Sequence, residues 1–235
     1  MSGKRRITLI TNGVLFIALS VVFALSFASF SAVPIYGGEE IRAIYGGKST
    51  DGVSITFNVY ENTDAVCKIV DILDGYNAKA TFFVGGCWAD DNSETLEKII
   101  KSGHELGNHG YFHKDHAKLG YEENRQEIYL TGLVVKALCG YETTLFAPPS
   151  GSFSENTLKA ADDLGYKVIM WTKDTIDWRD SDKDKLIKRA TENLKGGDIV
   201  LMHPKDHTVK VLPTILDKIY GKGLRAITVG ENVSG

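Results

Sequence analysis

Three observations predict an α/β fold whose parallel sheet is closed, or nearly closed, into a barrel. Strand-like and helix-like patterns alternate with little interruption from residue 53 to residue 230. Seven strand segments are separated by stretches long enough for crossover helices, which join parallel neighbours. Histidines, acids and a proline pair recur at the ends of those strands, where the active sites of α/β folds gather.

The first strand is VSITFNV (53–59). A helix from about Asn62 to Tyr76 follows, because Val66, Ile69, Val70 and Leu73 fall at i, i+3, i+4 and i+7 and form one apolar stripe. KATFFVG (79–85) is the second strand. Ser93 is an N-cap for TLEKIIKS and Gly103 a C-terminal stop. HELGN (104–108) is the third strand, followed by a long helix around 121–139, the strand TLFAPP (144–149) and a helix around 155–164. KVIMWTKD (167–174), a helix around 182–194, DIVLMH (198–203), a helix around 213–220 and RAITVG (225–230) complete the alternation.

The chain has 235 residues, 43% hydrophobic and 10% aromatic, enough for one sizeable core, and nothing marks a second globular boundary. Its start differs from the rest. Lys4, Arg5 and Arg6 precede Val14 to Ile35, a run without a charged residue and about the length needed to cross a bilayer as a helix. The expected organisation is a basic cytoplasmic tail over 1–13, a signal anchor over 14–36, and a domain over 37–235 on the extracellular side, secreted if the segment is cleaved near Ser29, Ser31 and Ala32. Without the three basic residues the exterior part has 24 Lys+Arg against 30 Asp+Glu, about −6, which argues against nucleic acid as a partner. Cys67, Cys87 and Cys139 are odd in number and lack CxxC spacing, so no disulfide framework is implied.

His109 and His113 lie four residues apart after HELGN, so on one helical turn or a tight loop both imidazoles can face a single metal ion, for which zinc is the expected choice. Such pairs also occur by chance on solvated surfaces. His203 in LMHP and Asp174 in WTKDTIDW strengthen the metal reading, because they occupy the equivalent ends of other strands.

These residues resemble the polysaccharide deacetylases of carbohydrate esterase family 4, the NodB homology domain, over roughly residues 41–233. SITFNV stands where the family has its TFDD block, and KATFFVGG with GHELGNHGYFH matches the second strand and histidine block. LFAPPSG matches the RPP block, WTKDTIDW the Asp-Trp block and IVLMHP the Leu-x-His block. AIYGG followed by SITFNV resembles the sporulation-associated branch. The resemblance implies a distorted, incomplete (β/α) barrel of about seven strands that removes N-acetyl groups from amino sugars of peptidoglycan or a related N-acetylglucosamine polymer. In that chemistry a metal polarises the amide oxygen and a water, an aspartate accepts the water's proton and a histidine protonates the amine. By the same resemblance His109 and His113 are the metal histidines, His203 the general acid and Asp174 the carboxylate that orients it. Pro148 and Pro149 shape the groove, and Trp178 and Leu201 line it.

The departures fall on the reactive positions. Asn58 stands where the family has the catalytic base, Val59 where it has the metal aspartate, and Ala147 where an arginine pairs with the base. An amide accepts no proton at neutral pH and a valine binds no metal. Losing only the acid or only the arginine would leave a buried charge unpaired at about 3–5 kcal/mol, whereas losing both avoids that cost. Asp64 and His207 are the preferred replacements for a lost ligand or contact, with Glu61 and His116 behind them. Their plain alternatives are first-turn acids for Asp64 and Glu61 and a solvated loop residue for His116; His104 reads as structural. Two functions follow: a membrane-anchored, metal-dependent deacetylase with a remodelled site, placed first, and a catalytically inactive glycan-binding or scaffold protein on the same fold.

Overall fold

The computed structural model describes residues 41–234, so the expected tail over 1–13 and anchor over 14–36 lie outside the described residues. Among the described residues no helix is long and apolar enough to cross a membrane.

Element order is β1 (Gly52–Val59), α1 (Thr63–Gly75), β2 (Thr81–Val84), α2 (Gly86–Asp90), α3 (Ser93–Lys101), β3 (Glu105–Asn108), α4 (Tyr121–Cys139), β4 (Leu145–Phe146), α5 (Glu155–Asp163), β5 (Lys167–Val168), β6 (Lys173–Asp174), α6 (Lys183–Thr191), β7 (Ile199–Met202), α7 (Asp206–Tyr220), β8 (Arg225–Ile227) and α8 (Val229–Ser234). All pairings are parallel, in the order β5-β4-β3-β2-β1-β7-β6, with β8 against the first residues of β1. The sheet is a curled, incomplete barrel, as expected.

One expected strand is two. Lys167–Val168 pairs with β4 while Lys173–Asp174 pairs with β7, so the segment read as KVIMWTKD leaves one edge of the open sheet and joins the other. Between them Ile169 bridges to Ile44 and the Met170 amide bonds the Ile44 carbonyl at 2.7 Å, so the N-terminal segment covers part of the gap. The last long helix also starts earlier than expected. It runs from Asp206, with Pro213 inside it. The proline tolerates this position because burial of Val211, Leu212, Ile215 and Leu216 holds the helix on both sides of the missing N–H.

Strand alternation sorts the core into two layers. Val53, Ile55, Phe57 and Val59 of β1 join Phe82 and Val84 of β2 and the apolar stripes of α1 and α7 in the outer layer, where Phe57 stacks on Phe82 at 5.1 Å. The inner layer holds Phe83, Leu145, Ala147, Ile169 and Ile199, closed from below by Val229 and Val233 of α8. Gly107 is required there: a Cβ would lie 2.4 Å from the Phe83 ring. The floor is tied by Glu105 Oε2, which accepts from Thr81 Oγ1 at 2.6 Å and from the Gly230 amide at 3.0 Å. Ser54, Thr56 and Asn58 share the inner face of β1 and carry its alternation up to the strand's C-terminal end.

Candidate functional site

β3 delivers His109 at its C-terminal end, where the ring is fully buried and Nδ1 lies 2.7 Å from the Ala147 carbonyl oxygen. A carbonyl only accepts, so the neutral ring carries its proton on Nδ1 and leaves a lone pair on Nε2. That Nε2 is buried without a partner. Burial, reinforced by repulsion from His113, pulls the His109 pKa down to about 3. The chain then turns through Gly110 (φ 73°) to His113, itself at φ 54°, a left-handed conformation that costs energy for a residue with a Cβ. The two imidazoles end 5.1 Å apart between ring centres, and the Tyr60 ring lies over His113 at 4.3 Å.

The loop is held from α4. Glu127, almost fully buried, accepts from the Phe112 amide at 2.7 Å and pairs with Lys114 at 3.0 Å. His116 is not the solvated residue expected: it is fully buried, with Nδ1 2.6 Å from Asn124 Oδ1 and its ring against Phe146. The expectation failed because the loop folds inward beneath α4. His104 is also buried, beneath the sheet and away from these residues, consistent with a structural role, and burial lowers its pKa to about 4.

These lowered values set an acid limit on stability. Below 6.5 the unfolded chain protonates His104 and His109 while the folded chain does not, so stability present near neutrality is lost as pH falls. Urea unfolding is expected to show a loss of about 2–3 kcal/mol between about pH 7 and about pH 5.5 from these two groups. The His104→Gln, His109→Gln variant is expected to flatten that dependence; an equal slope in both proteins would contradict the assignment.

At the end of β7, His203 meets Asp177. The ring Nδ1 lies 2.8 Å from Asp177 Oδ1, the His203 amide donates to Oδ2 at 2.8 Å and Thr208 Oγ1 donates to Oδ2 at 2.6 Å. Burial alone would raise the Asp177 carboxyl, but the hydrogen bonds and charge of His203, with Thr208, outweigh it and hold it below the usual carboxylate range. Asp177 therefore takes the orienting role expected of Asp174. Asp174 is spent on its own turn, accepting from the Ile176 amide at 2.8 Å, and that turn, with Ile176 at φ 57°, swings the chain so that the acid three residues on faces the histidine. His207 is turned inward too: its Nε2 donates to the Asp177 carbonyl at 2.7 Å, so it braces this network instead of facing a groove.

The remaining expected residues separate. Asn58 is 3% exposed on the inner face, with Oδ1 buried and unpartnered, and Ala147 is 3% exposed in the inner layer. Val59 packs in the outer core. Asp64 is exposed in the first turn of α1, where it favours the helix N-terminus, and does not join the histidines. Glu61 pairs with Lys205. Among the described residues no three His, Cys, Asp or Glu side chains converge to hold a metal ion. The donor set does not fit the expected divalent metal: two imidazoles remain, and the position of the acidic ligand is apolar and buried. Pro148 and Pro149 are buried at the end of β4, Leu201 is 4% exposed on the inner face of β7, and Trp178 is 52% exposed beneath the Arg179 guanidinium, 5.2 Å from its ring centre. Sequence reasoning passed over Tyr60 and Thr208. The only sequence signal for Tyr60 is its place directly after β1, and for Thr208 its place in the first turn of α7.

The barrel, with histidines at the ends of β3 and β7 and an aspartate behind the second, defines a carbohydrate-esterase-like hydrolase fold. The chain belongs to the polysaccharide deacetylase family, hydrolases of non-peptide carbon–nitrogen bonds, whose model matches residues 46–169. It is 32% identical over 87% of its length to a peptidoglycan-N-acetylglucosamine deacetylase of Bacillus cereus, 74% of which is covered. It is 34% identical to the uncharacterized protein YlxY of Bacillus subtilis, aligning over 86% of this chain and spanning 61% of that protein. A solved family 4 carbohydrate esterase pseudoenzyme from Bacillus anthracis superposes with a TM-score of 0.80 at 34% identity, covering 83% of this chain and 69% of that one.

Proposed function

We propose that this chain is an amino-sugar glycan-binding member of the deacetylase family that does not turn its ligand over. The observation that carries the proposal is the replacement of the reacting set: Asn58 is neutral and unpartnered, Val59 is committed to the outer core and Ala147 leaves no cation at the base. The pseudoenzyme similarity supports the same reading, and a mutant of that pseudoenzyme is described as having restored enzymatic activity. Pro148, Pro149, Leu201 and Trp178 stand at the positions that, by the family resemblance, shape and line its groove, which supports glycan as the ligand. The metal-dependent hydrolase with a remodelled site is the second reading, favoured by one observation: the His203–Asp177–Thr208 network of a general acid is intact. Purified protein dialysed against zinc is expected to retain less than one equivalent and to bind peptidoglycan fragments all the same. Stoichiometric zinc lost in His109→Ala and His113→Ala would favour the hydrolase.

We also propose, from hydropathy alone, that residues 14–36 anchor the chain with the domain outside. Protease added to intact cells is expected to digest the domain; recovery of full-length chain from the cytosol without detergent would contradict the anchor.

A further inference from the structure

Three rings at the ends of β1 and β3 are graded in exposure. His109 is fully buried, His113 half-buried and Tyr60 37% exposed. The Tyr60 ring centre lies 4.3 Å from that of His113 and 6.5 Å from that of His109, and the two imidazoles lie 5.1 Å apart, so Tyr60 is the outer member of one cluster. The innermost member carries an unmet need: the His109 Nε2 is buried without a partner.

The Tyr60 ring reaches His113 past the end of β2, where Gly85 puts no side chain in its way; a Cβ there would already lie 3.6 Å from the Tyr60 Cβ. The backbone on either side is fixed. The Val59 carbonyl accepts from the Gly85 amide at 2.8 Å, and Asn62, left-handed at φ 58°, caps α1 by accepting from the Ala65 amide. Only Tyr60 and Glu61 lie between these two points, so they move as one turn. Glu61 pairs with Lys205, whose amide donates to the His203 carbonyl at 2.8 Å and so ties the turn to the end of β7. The Glu61 side chain is 48% exposed and that of Lys205 25%, which leaves the pair open to competing ions and weak enough to part.

We infer that Tyr60 is a gate over the His109–His113 pair and that the Glu61–Lys205 ion pair is its latch. With the latch made, the turn holds the ring against His113. With the latch parted, the turn is free to carry the ring away and open both imidazoles to solvent. The inference goes beyond the glycan-binding reading, because it concerns access to the histidines whatever the ligand.

Diethyl pyrocarbonate acylates accessible neutral imidazoles, and peptide mass spectrometry of the treated full-length chain reads the rate at each histidine. Tyr60→Ala is expected to raise the rate at His113 about tenfold, as for a site whose open state is a minor population, while Tyr60→Phe keeps the wild-type rate. Glu61→Gln is expected to raise it about threefold, the scale of one exposed ion pair, and about 0.5 M sodium chloride to do the same in the wild type but not in Glu61→Gln. His104, buried beneath the sheet, is the internal control and is expected to stay slow throughout. An unchanged His113 rate in folded Tyr60→Ala would overturn the gate, and an unchanged rate in folded Glu61→Gln would overturn the latch. A rise at His104 equal to that at His113 would show general loosening of the fold and would overturn both, leaving the glycan-binding reading untouched.

Discussion

The triple variant Asn58→Asp, Val59→Asp, Ala147→Arg, supplied with zinc, is expected to release acetate from N-acetylglucosamine oligomers at least about 100-fold faster than the unmodified chain, the scale of one well-placed general base. All three changes are needed. Asp at 58 alone would sit 3% exposed with no cation beside it, so burial would raise its pKa and keep it protonated. Arg at 147 supplies the pairing charge from the inner layer, where Ala147 now lies beside Phe83 and Leu145. Asp at 59 must leave the outer core that Val59 shares with Phe57 and Val84, a cost that metal coordination with His109 and His113 offsets. His203→Ala added to the triple variant is expected to remove the activity, because the acid held by Asp177 is then missing. A folded, zinc-loaded triple variant with no acetate release would show that the lost residues are not what separates this chain from hydrolysis.

Asp177→Ala is expected to destabilise the domain by about 3–5 kcal/mol, the scale for breaking a buried charged network. The change strands the His203 amide, the His203 ring and the Thr208 hydroxyl, all bonded to one carboxylate that is 1% exposed. Asp174→Ala removes only the bond to the Ile176 amide in a half-buried turn and is expected to cost about 1 kcal/mol. Urea midpoints of the two variants measure the difference. Equal midpoints would contradict the placement of Asp177 as the anchor of His203.

That pair also marks where sequence reasoning stopped. The order and spacing of His109, His113 and His203 were legible because strand ends converge in a parallel barrel whatever the loops do. Which acid of DTIDW serves His203 was not legible: the choice is made by a left-handed turn at Ile176, a backbone event that residue types do not announce. His116 reads as polar and loop-borne, yet the bond from its ring to Asn124, fifteen residues after His109, requires knowing that α4 crosses the loop. Asp64 fails for a simpler reason. Its place at the start of α1 suits a first-turn helix acid better than a ligand, and geometry puts it in solvent. KVIMWTKD was read as one strand, and only the open edge of the sheet shows that it is two, which pair with different partners.

Acetate release by the wild-type chain is the most direct test of the central claim. The purified protein, incubated with N-acetylglucosamine oligomers and peptidoglycan fragments in the presence of zinc, cobalt or manganese, is predicted to release no acetate above a protein-free blank while still binding glycan. Acetate released by the wild type and lost in His203→Ala would contradict the claim and establish a working hydrolase with a remodelled site.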